Sequence, residues 1–243
     1  MSNTYFRFKQ FIVHQGRCAM KVTTDGCLFG AWVADKIQDR EPGLKVLDIG
    51  TGTGLLSLML AQKNPTAEIE AKEIDKEAAS QAAENVNMSP WKEQVSVMHT
   101  DAKLYSTNKN YDLIISNPPF YEDELKSHDD SKNIAHHSSA LTLDGLLGII
   151  KKSLSENGSF YLLLPYKRQE ELPALFNKHF LLTTEKTLVR QTTRHDYFRV
   201  MLAGTHQSNP VKEQHAREIS IKNEQQEYTP EFTSLLKDYY LSL

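Results

Sequence analysis

Val46-Leu47-Asp48-Ile49-Gly50-Thr51-Gly52-Thr53-Gly54 reads as a buried strand that runs into a Gly-x-Gly-x-Gly turn. Glycine lets a backbone take positive φ and approach a ligand closely. The dinucleotide fingerprint is Gly-x-Gly-x-x-Gly, whereas here the third glycine falls one residue early and Leu55 stands in its place. That spacing disfavours a pyrophosphate and suits a nucleoside carrying no phosphate. On its own the turn is weak, because glycines that pack a helix onto a strand are common.

Outward from this turn the pattern alternates strand and helix, which predicts a parallel sheet with helices on both faces. Residues 45–49, 68–74, 94–99, 113–116 and 159–164 read as strands, with helices over 55–63, 76–88 and 141–154. Residues 168–178 are helical in pattern but contain Pro173, so a break or late start is expected there. Residues 180–189 and 198–203 follow without an intervening helix, as an antiparallel pair closing the sheet. The expectation is an α/β fold with a seven-stranded, mostly parallel sheet and an antiparallel closing strand. Before the core, 26–36 reads as a helix and 6–13 as a short hairpin. The polar stretch 205–228 reads as a surface excursion, after which Phe232, Leu235, Leu236 and Tyr239 give one docking stripe. The chain is read as a single domain over 1–243, with an N-terminal extension 1–44 and a tail 205–243.

Ligands of open α/β sheets sit beyond the carboxyl ends of the strands. The second strand ends in Glu73-Ile74-Asp75. Glu73 is placed to accept from both hydroxyls of a ribose, while Asp75 is expected to cap the next helix. Asp101, after the third strand, either caps the start of a helix or accepts from the exocyclic amine of an adenine. The fourth strand leads into Asn117-Pro118-Pro119-Phe120. Two prolines stiffen this segment and remove N–H donors, so it offers carbonyl acceptors on a fixed frame. An amide side chain, a carbonyl and an aromatic face together suit a flat group bearing –NH2. The plainer alternative, a rigid turn that stops a strand, does not account for the flanking Asn117 and Phe120. Tyr121 is a second candidate for stacking.

The chain has 243 residues, 40% hydrophobic and 24% charged, within the range of globular proteins. No apolar run approaches the ~20 residues that span a bilayer. The first residues lack the apolar core of a secretory signal. Two cysteines, Cys18 and Cys27, make neither a disulfide framework nor a zinc site, and read as packed small hydrophobes in a reducing, cytoplasmic setting. A net charge of −3 argues against holding nucleic acid by bulk charge. Its distribution is uneven. Residues 1–24 carry Arg7, Lys9, Arg17 and Lys21 with no acid, and 186–199 carry Lys186, Arg190, Arg194 and Arg199 against Asp196 alone. Glu122, Asp123, Glu124, Asp129 and Asp130 form an acidic loop between them. The basic faces are either phosphate contacts or solvated surface. A metal site from His128, His136 and His137 lacks thiols or a fixed short spacing, and no metal is expected.

The order Asp48-x-Gly-x-Gly-x-Gly, Glu73, Asp101-Ala102, Asn117-Pro118-Pro119-Phe120 resembles the S-adenosylmethionine-dependent methyltransferases that modify exocyclic or amide nitrogens. Phe8-Lys9-Gln10-Phe11 and the run from Arg17 to Gly26 narrow the resemblance to the bacterial tRNA1(Val) (adenine-37-N6)-methyltransferases, over most of 5–205. The resemblance implies a Rossmann-like class I methyltransferase fold, S-adenosyl-L-methionine as cofactor and tRNA as substrate, with no membrane and no obligate protein partner. It implies catalysis by Asn117, Pro118 and Phe120. It implies a cofactor site of Lys21, Thr24, Asp25, Asp48, Gly50, Gly52, Gly54, Glu73, Asp101, Ala102 and Asn117. It implies RNA contacts from Arg7, Lys9, Lys21, Arg190, Arg194 and Arg199. One departure is Ala135-His136, where such sequences often have Ala-Arg; a contact through His136 would depend on pH near neutrality.

Two rivals keep the chemistry and change the acceptor: a release-factor glutamine, whose amide presents the same two N–H groups, or guanine N2 in rRNA. A non-catalytic RNA-binding module is a rival of another class, and so is a nicotinamide oxidoreductase. Intact Asn117, Glu73 and glycine turn count against the former, glycine spacing against the latter.

Overall fold

A computed structural model describes residues 3–104, 110–119, 141–210 and 215–243. The chain opens with an antiparallel hairpin, β1 (Tyr5–Arg7) and β2 (Ile12–His14), and helix α1 (Thr24–Ile37). Then come β3 (Lys45–Ile49), α2 (Leu55–Lys63), β4 (Glu68–Glu73), α3 (Lys76–Asn87), β5 (Val95–His99) and β6 (Tyr111–Ser116). Helix α4 (Leu143–Ser153) leads into β7 (Leu154–Pro165), a 3-10 turn (Tyr166–Glu170) and α5 (Leu172–Lys178). The last elements are β8 (Leu181–Arg190), β9 (Tyr197–His206), β10 (His215–Ser220) and α6 (Pro230–Leu236).

The main sheet has eight strands in the order β10-β8-β9-β7-β6-β3-β4-β5. The strands β7, β6, β3, β4 and β5 run parallel, and β9 is antiparallel to both β7 and β8. The expected seven strands are therefore corrected to eight. The extra one, β10, comes from the tail and pairs parallel to β8, with Arg217 opposite Thr187 and Ser220 opposite Arg190. Only Ile219 of its side chains is buried among 216–220, so an edge position leaves little apolar pattern to read.

Side chains alternate across the pleat, and here both alternations are apolar. Val46, Leu113, Ile115, Tyr161, Leu163 and Met201 join one core cluster with α1 and α2; Leu47, Ile114, Phe160, Leu162, Val200 and Leu202 join another with α4 and α5. Two covered faces explain the continuous hydrophobic runs of these strands. Helix starts follow local chemistry: the Thr23 hydroxyl accepts from Gly26 N–H at 3.2 Å and the Asp75 carboxylate from Ala78 N–H at 2.8 Å. Pro173 sits in the first turn of α5, where its missing N–H is harmless, so the 3-10 turn and α5 are separate pieces.

The tail returns to the core. Phe232, Leu236 and Tyr239 are fully buried, and the Tyr239 hydroxyl donates to the Met59 carbonyl of α2 at 2.9 Å. Tyr240 packs with Phe6 and Phe8 of the N-terminal segment, tying the two ends of the chain together. Among the described residues no helix is long and apolar enough to cross a membrane.

Candidate active site

Asp48 leaves the middle of the sheet, and the turn after it bends back under positive φ at Gly50 (74°), Gly52 (57°) and Gly54 (82°). The three glycines do different things. A β-carbon at Gly54 would touch Ala82 of α3 at 3.5 Å, so this position serves helix packing. At Gly50 and Gly52 a β-carbon would meet nothing within 4 Å, and their backbone faces open space at the end of the sheet. The turn is anchored by Gly50 and Thr51 N–H groups, which donate to the Lys72 carbonyl at 2.8 and 3.0 Å.

Glu73, at the end of the adjoining strand, reaches this turn. One carboxylate oxygen accepts from Gly52 N–H at 2.8 Å and the other from Asp75 N–H at 3.0 Å. An ionised carboxylate has about four acceptor positions, so two remain for a vicinal diol. Asp101 accepts from Lys103 N–H at 2.8 Å, which is the turn-capping arrangement, and Ala102 packs against the second core cluster.

Asp48 is fully buried. Its Oδ2 accepts from the Thr51 hydroxyl at 2.6 Å and the Ser57 hydroxyl at 2.7 Å. Its Oδ1 has no hydrogen-bond partner. Burial pushes the carboxyl up to about 6, against the pull of the Thr51 and Ser57 hydrogen bonds, with the nearby Glu73 charge adding to the rise. An orphaned acceptor at the root of an open glycine turn calls for a donor, and a ligand carrying an amine fits it.

Asn117 follows β6, and the Ser116 hydroxyl, buried, donates to the Ile49 carbonyl at 2.7 Å and ties the two strand ends together. A β-carbon at Gly26 would stand 3.8 Å from Asn117 Nδ2 and 3.8 Å from Leu55 Cδ2. The asparagine amide, the first turn of α1 and the residue after the glycine turn therefore meet at one point. Pro118 is buried and Pro119 exposed. Phe120 and Tyr121 lie outside the described residues, as do His128, His136, His137 and the acidic loop. Among the described residues no group of three His, Cys, Asp or Glu is placed to hold a metal ion.

The first turn of α1 is held from two sides. The Arg199 guanidinium of β9 donates to Asp25 Oδ2 at 2.7 Å, and Tyr240 of the tail shares a core cluster with Cys27. Lys21 Nζ donates to the carbonyls of Gln15 (2.5 Å) and Cys18 (2.9 Å). Two residues expected at the RNA, Lys21 and Arg199, are thus engaged inside the protein. Lys9 Nζ donates to the Lys237 carbonyl at 2.5 Å. Arg190 donates to Ser220 at 3.0 Å and Glu218 at 3.2 Å, and Arg194 pairs with Glu224 at 2.6 Å while remaining largely exposed. Arg7 is exposed on β1. Thr51 and Ser57, which hold Asp48, were not anticipated from the sequence; hydroxyls three and nine residues after a buried acid are the signal that points to them. Burial pushes the Cys18 thiol up to about 11 and Cys27 up to about 12, which suits packed, unreactive side chains.

A family model described as "Methyltransferase small domain" matches residues 31–180. A tRNA1(Val) (adenine(37)-N6)-methyltransferase from Parabacteroides distasonis is 37% identical over 245 residues, covering 100% of both chains. Its counterpart from Dyadobacter fermentans is 48% identical over 163 residues, 67% of this chain and 66% of that one. The full-length match extends through the tail, correcting the expectation that likeness ends near residue 205. Among solved structures, a predicted O-methyltransferase from Agrobacterium tumefaciens superposes with a TM-score of 0.65 at 16% identity, covering 87% of this chain and 95% of the other. An S-adenosylmethionine-dependent methyltransferase from Geobacter sulfurreducens, solved with S-adenosyl-L-homocysteine, gives 0.55 at 15% identity, covering 77% and 94%. These two support the Rossmann-like fold. With a family model over more than half its length and relatives alike from end to end, the chain belongs to the methyltransferase small domain family and, within it, to the tRNA1(Val) (adenine(37)-N6)-methyltransferases.

Proposed function

We propose that this protein methylates N6 of adenine 37 in tRNA1(Val), as a single cytoplasmic domain acting on tRNA. The observation that carries the reading is the approach of the Asn117 amide to Gly26 and Leu55, beside the open glycine turn. S-adenosylmethionine, when bound, supplies an electrophilic methyl group on a sulfonium sulfur. Gly50 and Gly52 would pass its body, Glu73 would accept from its ribose hydroxyls, and the orphaned Asp48 Oδ1 would take a donor from its amino-acid end.

The acceptor half belongs to Asn117 and Pro118. An amine conjugated with a purine ring is a poor nucleophile, because its lone pair is shared with the ring. Asn117 Nδ2 stands 3.8 Å from where a β-carbon at Gly26 would lie, and its Oδ1 is proposed to accept one N–H of the target. The Pro118 carbonyl accepts the second. Two acceptors in fixed positions localise the lone pair and aim it, and such orientation is worth several kcal/mol. The nitrogen sheds its proton once alkylation has made it cationic, so no strongly basic side chain is required. Phe120 is the residue proposed to stack on the base. Arg7, Lys9, Arg190 and Arg194 are proposed to meet backbone phosphates, whereas Lys21 and Arg199 act by organising the first turn of α1.

The test is methyl transfer from labelled S-adenosylmethionine to tRNA1(Val) transcripts, followed by nucleoside mass spectrometry. The reading expects N6-methyladenosine with adenine at position 37 and none with guanine there. Label in a glutamine-bearing protein, or in guanosine, would overturn it.

A further inference from the structure

Tyr166 and Tyr197 stand at the same end of the sheet as Asn117, and neither belongs to a core cluster. Strand β7 runs parallel to β6, with Leu162 opposite Ser116, and continues three residues farther to Pro165. Tyr166 is the next residue. Pro165 faces Arg199 across the antiparallel pair, which puts Tyr197 beyond the end of β7 as well. The two rings lie 5.4 Å apart at 43°, open rather than closed into a parallel stack, and both are part-exposed.

Tyr197 is also held in place. The Arg190 guanidinium lies 5.3 Å from the centre of its ring and is itself held by the Glu218 carboxylate at 3.2 Å. Glu218 comes from β10, the edge strand of the tail. Three strands thus cooperate to fix one surface ring. An exposed tyrosine with no ligand to meet gains little from such ordering, since fixing side chains costs conformational entropy. Arg199, two residues along β9, reaches Asp25, and Gly26 next to it adjoins Asn117, so the strand end that carries Tyr197 also makes the contact to the candidate active site.

We propose that Tyr166 and Tyr197, with Arg190 behind them, form a stacking site for the RNA base next to the target adenine. An aromatic face and a guanidinium plane receive bases of any identity, and a base freed from its neighbour when adenine 37 leaves the loop stack needs such a surface. This inference rests on the tRNA reading above, and the experiment separates the two.

Steady-state methylation is measured with tRNA1(Val) transcripts carrying an abasic residue at position 36 or 38. The enzymes are wild type, Tyr166→Leu, Tyr197→Leu and the corresponding Phe variants. The leucine variants should raise KM for tRNA by roughly ten-fold, as loss of one base–aromatic stack implies. Their kcat and S-adenosylmethionine affinity should stay near wild type, and the phenylalanine variants should retain the wild-type KM. At one of the two positions the abasic residue should raise the wild-type KM to the same degree and add nothing to a leucine variant. Unchanged KM in both leucine variants overturns the platform while the function stands, and so does full additivity at both positions. Phenylalanine variants as weak as leucine would also overturn it, by tracing the effect to the tyrosine hydroxyl rather than to the ring. Wild-type enzyme that methylates no tRNA removes the function and the platform together.

Discussion

Arg199 Nε lies 2.7 Å from Asp25 Oδ2, which bolts the closing strand β9 to the first turn of α1. The pair is largely shielded, with side-chain exposures of 28% and 12% for Arg199 and Asp25. Hydrogen bonds between charged groups at such sites contribute about 1.5–3 kcal/mol. Because Gly26 adjoins Asn117, the bond also sets where the asparagine sits against α1. Arg199→Ala and Asp25→Ala should each lower the melting temperature and reduce kcat/KM. The swap Asp25→Arg with Arg199→Asp should recover part of both. A double-mutant cycle read by thermal unfolding and by turnover checks this, and additive losses would show that the pair does not act as a unit.

Asp48 gives the ligand-free protein a pH-dependent stability. Burial raises its carboxyl from 3.8 to about 6, so the folded state keeps a proton that the unfolded chain releases. The resulting stabilisation is fully present below about pH 4 and is lost as pH rises through 6. A shift of about two pH units corresponds to roughly 3 kcal/mol at most. Asp48→Asn should therefore be more stable than wild type at pH 8 and lose this part of the pH dependence. Urea unfolding at pH 5 and pH 8 measures it.

Gly52 and Gly43 both have positive φ, 57° and 81°, and at both a β-carbon would project into open space. Alanine at either should cost about 1–2 kcal/mol of backbone strain. Only Gly52 lies at the glycine turn. Gly52→Ala should also weaken S-adenosylmethionine binding, while Gly43→Ala should leave it unchanged. Isothermal titration of both variants makes the comparison.

The tail should be necessary for stability. Tyr239 has no exposed surface and donates to the Met59 carbonyl. Tyr239→Ala should cost about 3–5 kcal/mol, as large aromatic truncations do. Tyr239→Phe keeps the packing and should cost about 1 kcal/mol for the lost hydrogen bond. Denaturant titration distinguishes the two sizes of effect.

Strands β3 and β6 were legible because burial on both faces writes short apolar runs and a glycine turn or proline pair marks the end, whereas β4, with charged residues at four of its six positions, was legible from its place between two helices. The antiparallel closing pair was legible from the polar turn 191–196 between two long strand-like segments with no helix between them. Strand β10 was not, since among 216–220 only Ile219 is buried and the strand is held through backbone pairing with β8. Asp75 was readable as a helix cap from its position alone. The partnership of Asp25 with Arg199 was beyond any local pattern, because 174 residues separate them and only the closed sheet brings them together. The same holds for Glu218 and Arg190. Sequence periodicity reports which face is buried, whereas ion pairs between surface-edge elements depend on three-dimensional register.

The central claim is that the Asn117 side chain and the Pro118 carbonyl grip the amine to be methylated. Single-turnover methylation of tRNA1(Val) by Asn117→Ala, beside titration of its S-adenosylmethionine affinity, tests it most directly. Loss of one of two positioning acceptors should slow transfer by roughly a hundred-fold or more while cofactor affinity changes only a few-fold. A rate close to wild type, with the cofactor bound normally, would contradict the account.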